Sequence, residues 1–126
     1  MQLIDIHMVE RRKHLRIPFW SIIRYRIKEK NNNNTEIIYG NSKNISVGGI
    51  CFETYEAIEK GTLLEITLAL PSSPVKRIVI EGEVLRCEKI NLRQIYSIGV
   101  AFRQVSSKDM FAFAEFIEHY TRNEKN

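Results

Sequence analysis

Arg11, Arg12, Lys13 and Arg16 place four cations, with His14 among them, inside six consecutive residues, immediately ahead of a strand-like run. Charge runs are usually solvated surface, but arginine at positions 11, 12 and 16 argues for more. A guanidinium is a planar fork of donors that meets phosphate oxygens two at a time. It also matches the O6 and N7 edge of guanine and stacks on base faces. Arg12 and Arg16 bracket a ligand if the segment between them is irregular or forms a single helical turn. The second stretch is Asn44-Ile45-Ser46-Val47-Gly48-Gly49. Asn44 brings an acceptor and donors, and Ser46 brings a hydroxyl. Gly48 and Gly49 allow close backbone approach or positive φ. Alone, this spacing is what any turn uses. Together the two stretches are read as one site for an anion and a purine.

No catalytic constellation competes with that reading. His7, His14 and His119 are scattered, and neither Cys51 nor Cys87 completes a metal-ligand spacing. The chain lacks G-x-S-x-G, H-E-x-x-H and P-loop patterns. Glu81 and Glu83 share one strand face, where a solvated pair is the plainer reading than a catalytic one. The protein is therefore expected not to be an enzyme and to hold no metal or cofactor.

The elements that must position these residues follow from periodicity. Residues 17–28 alternate, with Ile17, Phe19, Ile23, Tyr25 and Ile27 on one parity, which predicts a single long strand. Trp20 on the other parity is read as a packed strand aromatic, with a base-stacking platform as the alternative. Asn31 to Asn34 form a turn. Strands are predicted over 35–44, 50–53, 62–70, 75–89 and 93–103. Gly82 marks a bulge or bend in the fifth. The period then changes: Met110, Phe113, Ala114, Ile117 and Tyr120 mark an amphipathic helix over 106–121, widened by Phe111 and Phe116. Ser106 and Asp109 have capping-box spacing. Strands separated by turns and followed by one helix predict a six-stranded antiparallel β-barrel with a C-terminal α-helix, because closure removes exposed edges. Residues 1–10 are a lead-in, and 1–126 form one domain.

The 126 residues carry a net charge of +4, but residues 11–28 hold seven cations and no acid, which leaves −3 for the rest. The positive field is local, suited to steering anionic partners. No apolar run spans a membrane and the start lacks a signal-peptide pattern, so a cytoplasmic protein with two buried free thiols is expected.

R-x-x-x-R before the first long strand, then N-x-S-x-x-G between the second and third, resembles the PilZ domain family. Arg12 and Arg16 match its arginine motif; Asn44, Ser46 and Gly49 match its [D/N]-x-S-x-x-G motif. Ile98-Gly99-Val100-Ala101-Phe102 is similar to its last strand. The resemblance implies a bacterial receptor for cyclic di-GMP. Arg12 and Arg16 would then contact phosphates and guanine edges, Asn44 and Ser46 would hold a guanine, and Gly49 would keep the turn open. In the family, an arginine at the position of Arg11 accompanies an intercalated ligand dimer, so two ligands per chain are expected. Asn44 in place of the commoner Asp offers guanine a neutral carbonyl, and neutral bonds are roughly half as strong as charge-assisted ones. With nine residues before Glu10, the output is expected to pass to an unidentified downstream protein by ordering of the N-terminal segment. No membrane span and no DNA partner is expected. The other readings are a barrel that binds single-stranded nucleic acid and a PilZ-like interaction domain without a ligand.

Overall fold

The computed structural model describes residues 3–5, 16–28, 36–71 and 74–124. Eight strands and one helix follow in order: β1 Leu3–Asp5, β2 Ile17–Pro18, β3 Ile22–Ile27, β4 Ile38–Ser46, β5 Gly49–Thr54, β6 Leu63–Leu70, β7 Lys76–Lys89, β8 Tyr96–Ser106 and α1 Ser107–Glu124. All pairings are antiparallel. The path β8-β5-β4-β3-β6-β7 returns to β8, which closes a six-stranded barrel. The short strands β1 and β2 lie outside this circuit, on β8 and β4 respectively.

Alternation decides what fills the barrel. Leu64, Ile66 and Leu68 of β6, Ile78, Ile80 and Val84 of β7, and Ile98, Val100 and Phe102 of β8 are all buried. In each strand these residues fall on one parity, as alternation requires of a half-buried strand. Tyr25 lies among them, its ring 5.1 Å from that of Phe52 and its hydroxyl 2.8 Å from Thr54 Oγ1. Helix α1 closes the structure with Met110, Phe113 and Ile117 buried. Each such side chain is worth roughly 1.5–3 kcal/mol when buried, so packing outweighs the ~1 kcal/mol typical of a cap. The cap is present nonetheless: Asp109 N donates to Ser106 Oγ at 3.1 Å. The carboxylate of Asp109 does not complete a reciprocal box. It accepts from the backbone N–H of Val79 at 3.2 Å and so ties the helix start to β7.

Several expectations change. The strand predicted over 17–28 is broken at residues 19–21, and Ser42 of β4 fills the break. Its hydroxyl accepts from Ser21 N at 2.9 Å and faces the carbonyl oxygens of Phe19 and Ser21. Trp20 falls in that break and is 70% exposed, not packed, with Lys43 Nζ 4.8 Å over its ring. Cys51 and Cys87 are free but half-buried: Cys51 stands on the outer side of the barrel wall, and Cys87, opposite Ile98, packs against the edge of the core. Phe111 is exposed because it points off the buried stripe of the helix. The helix runs on to Glu124, beyond residue 121 where its end was expected. The Asn31 to Asn34 turn lies outside the described residues.

Two bulges shape one side of the barrel. In β4 the register passes from Ser42↔Phe52 to Asn44↔Cys51, so Lys43 is an extra residue. In β7 it passes from Val84↔Val100 to Arg86↔Gly99, so Leu85 is extra. A third irregularity occurs at Glu81/Gly82, at the glycine read as a bend. Gly82 has no room for a side chain: a Cβ there would lie 2.5 Å from Val100 Cγ1.

Candidate functional site

The anticipated turn at 44–49 is tighter than its composition suggests. β4 continues through Ser46 and β5 begins at Gly49, leaving only Val47 and Gly48 between them. Asn44 and Ser46 are therefore strand residues, one alternation apart on the outer face. Ser46 is buried, and its Oγ accepts from Gly48 N at 3.2 Å, which closes the hairpin. Gly48 O accepts from Phe102 N at 2.8 Å. Neither Gly48 nor Gly49 has positive φ; among the described residues Gly61 and Asn91 do. Gly49 is required for another reason: a Cβ would sit 2.3 Å from the Val100 carbonyl oxygen. Its expected part in keeping the turn open thus becomes a close approach of β5 to β8.

The arginine stretch meets this hairpin through β2. Ile17 pairs with Ile45 and Pro18 with Asn44. That register brings Arg16 beside Asn44, and Arg16 Nη1 donates to Asn44 Oδ1 at 2.6 Å, a contact across 28 residues of sequence. Arginine has only donors, so the oxygen edge of the amide must face it. The Nδ2 donors of Asn44 then point the other way, toward any acceptor a ligand presents there. Arg16 is exposed and Asn44 half-buried, so both remain accessible from solvent. Arg11 and Arg12 lie outside the described residues. Of the predicted site residues, the structure brings together Arg16, Asn44, Ser46, Gly48 and Gly49 at one end of β4 and β5.

A row of paired residues continues from Asn44 around the barrel. Asn44 pairs with Cys51, Cys51 with Gly99, and Gly99 with Arg86. The sequence reading did not single out Arg86. Its only signal was a cation beside an apolar run, and the bulge at Leu85 that turns it outward is not visible in composition. Glu81 and Glu83 are charge-paired, with Lys28 and with Arg103 respectively; Glu83 Oε1 lies 3.1 Å from Arg103 Nη2. Both are half-buried on the outer strand face, so the solvated face expected for them is in fact an ion-paired one.

Tyr25 has a clearly displaced titration: burial pushes its phenol above the ordinary value, against the opposing hydrogen bond from Thr54. It belongs to the core and not to the site. Among the described residues no group of three or more His, Cys, Asp or Glu is placed to hold a metal ion. No described helix is long and apolar enough to cross a membrane. A groove of about 710 Å³ lies between α1 and the β6–β7 connection, lined by Leu70, Val75, Phe111 and Phe116 among others, and shares no residue with the Arg16–Asn44 cluster.

The fold is shared with solved structures. The Bacillus subtilis inhibitor of motility (MotI/DgrA) superimposes with a TM-score of 0.75 at 19% identity, covering 93% of this chain and 54% of that one. Apo MrkH of K. pneumonia gives 0.66 at 19% identity, covering 92% and 54%. The PilZ domain of YcgR from Escherichia coli, solved with c-di-GMP, gives 0.60 at 14% identity, covering 92% and 95%. This chain thus spans about half the length of the first two. No curated protein matches the sequence. The pattern of the PilZ domain matches residues 10–119, a span that holds both the arginine stretch and the β4–β5 hairpin, and the chain therefore belongs to the PilZ domain family.

Proposed function

We propose that this protein is a receptor for cyclic di-GMP, which it binds through Arg11, Arg12 and Arg16 together with Asn44, Ser46, Gly48 and Gly49. The observation that carries this reading is the bond from Arg16 to Asn44, which joins the two motifs into one cluster. A cyclic dinucleotide offers two phosphates and two guanines. Arginine forks suit the phosphates and the guanine O6/N7 edges. With Asn44 Oδ1 turned to Arg16, the Nδ2 of Asn44 faces the ligand as a donor, which suits a guanine acceptor edge. Each bond to a charged group contributes roughly 1.5–3 kcal/mol, enough for several to offset the ordering of a short segment. Family membership, and the c-di-GMP held by the YcgR PilZ domain, support the choice of ligand.

The mechanism is an ordering of the N-terminal arginine segment over the site on ligand binding, read by a downstream partner protein. Arg11 extends the cation row and favours an intercalated pair of ligands. Isothermal titration with cyclic di-GMP at physiological salt tests the reading. Saturable heat that disappears in Arg16→Ala supports it, and a stoichiometry near two ligands per chain supports the pair. No heat with the wild-type protein ends it.

One observation favours a second reading. Trp20 is exposed and carries Lys43 Nζ 4.8 Å over its ring, an aromatic beside a cation such as a stacking platform for single-stranded nucleic acid uses. Tight binding of an oligonucleotide with a steep salt dependence, and no response to the dinucleotide, selects that reading.

A further inference from the structure

A projecting aromatic ring and a groove stand side by side on one face, which shares no residue with the Arg16–Asn44 cluster. The groove, of about 710 Å³, runs between α1 and the β6–β7 connection. Phe111 stands on its helix lip and is 72% exposed, while Val75 on the strand lip is 55% exposed. Phe116 lines the groove between them, its ring packed edge-on against Phe19 at 5.7 Å. Apolar side chains left in water singly are ordinary; gathered around one concavity they mark an interaction surface. The two lips are held at a fixed distance, because Asp109 at the start of α1 accepts from the backbone N–H of Val79 on β7 at 3.2 Å. The groove is therefore formed before any occupant arrives, which lowers the cost of filling it.

Charge narrows the choice of occupant. Lys76 and Arg77 stand exposed on the strand lip. Glu115 stands exposed on the helix lip, one turn beyond Phe111 and on the same side of α1. None of the ion pairs among the described residues engages any of these three. An occupant must answer a cation lip and a carboxylate lip at once. A uniformly acidic segment answers the first and is repelled by the second. The groove face itself answers both. In an isologous pair the same patch serves both subunits and must be complementary to itself. With the two-fold axis running along the groove, each lip lies over the opposite lip of the other copy. Lys76 and Arg77 of each copy then meet Glu115 of the other, and Phe111 of each meets Val75 and the groove of the other. One symmetry operation thus covers the exposed ring, fills the groove and pairs the three free charges.

We infer that this face is the contact surface of a two-fold homodimer, with Phe111 as its anchor and the two charged lips setting its orientation. The test is sedimentation equilibrium of the full chain without added ligand, over a concentration series reaching the millimolar range, so its outcome is independent of the receptor reading. The wild type is expected to associate and to stop at two copies. Phe111→Ser should weaken association about tenfold or more, as loss of an aromatic anchor does. Thermal midpoints measured at concentrations where every variant is monomeric should agree, because Phe111 and the charged residues are exposed. Reversing one lip, as in Glu115→Arg or in Lys76→Glu with Arg77→Glu, sets like charges against each other and should also weaken association about tenfold. Reversing both lips in one chain should restore it to within about threefold of wild type. A wild type that stays monomeric throughout the series overturns the inference. So does association that continues past two copies, since an isologous contact closes on itself. Phe111→Ser that associates like wild type shows that another face is used, and a double reversal as weak as the single ones overturns the lip-to-lip pairing.

Discussion

Arg16 and Asn44 are bonded side chain to side chain at 2.6 Å, and that contact fixes which edge of the amide faces a ligand. The pair should behave as a unit in binding. Arg16→Ala is expected to cost at least about 1.5–3 kcal/mol of cyclic di-GMP affinity. Because both side chains reach solvent, folding stability should change by no more than about 0.5 kcal/mol. Asn44→Ala removes its own contact and leaves Arg16 without its orienting partner. The double variant should then lose less than the sum of the two single losses, a non-additivity that titration calorimetry on all four proteins measures. Strict additivity would mean that the two residues do not share a ligand.

Gly49→Ala tests the close approach of β5 to β8. The added Cβ would meet the Val100 carbonyl oxygen at 2.3 Å, an atom that cannot rotate away. A loss of at least about 1–3 kcal/mol in denaturant unfolding is expected. Gly99→Ala provides the contrast: the nearest atoms belong to the flexible Arg86 side chain, at 3.2 Å, so its stability cost should be smaller.

Ser42→Ala should destabilise the barrel although it removes a single oxygen. The hydroxyl accepts from Ser21 N and faces the Phe19 and Ser21 carbonyls where the β2–β3 run is interrupted. Removing it leaves buried backbone groups unpaired, at about 1–3 kcal/mol. Ser42→Thr retains the hydroxyl and should recover part of the loss unless the extra methyl overpacks the site. Amide exchange at Ser21 should rise in the alanine variant, and no change there would contradict the stitching role.

Tyr25 supplies a pH prediction. Burial raises its ionisation above the ordinary value of 10.0, so the folded state holds a proton that the unfolded chain releases. The unfolded state then binds fewer protons, and stability falls as pH rises through 10 and beyond. Tyr25→Phe removes this dependence. At pH 7 the variant should be less stable by about 1–3 kcal/mol, since Thr54 Oγ1 loses its buried partner. The gap should narrow above pH 10, as followed by urea unfolding across that range. A gap independent of pH would show that Tyr25 ionises alike in both states.

Much of the barrel was legible because its strands are half-buried and alternate. Leu64, Ile66 and Leu68, or Ile98, Val100 and Phe102, point inward as their parity requires. What alternation hides are the places where it slips. The break at residues 19–21 depends on Ser42, which reads as one more polar strand residue. Trp20 carried a strong strand propensity, but the break leaves it on the surface. Asn44 and Ser46 were read as site residues and placed in a loop, because Asn, Ser and Gly favour turns; the pairing with β2 and β5 overrides that preference. The outward turn of Arg86 is hidden for the same reason: a single extra residue, Leu85, changes which side chain of β7 faces out.

β1 and β2 have a consequence for the arginines themselves. Asp5 is held opposite Gln104 on β8, and Ile17 opposite Ile45 on β4, with β5 between those two strands. Strand pairing thus holds the residues on either side of the arginine stretch, Asp5 before it and Ile17 after it. Four residues separate the Arg12 and Arg16 α-carbons, so Arg12 stays within about 14 Å of Arg16 at full extension. Confinement to so small a volume keeps it at an effective concentration on the order of millimolar or above before any ligand arrives. A tether also caps the chain entropy that capture must remove, since closing an already closed loop costs less than pinning an open one. Deleting residues 1–5 should therefore slow capture and speed release without altering a single contact to the dinucleotide.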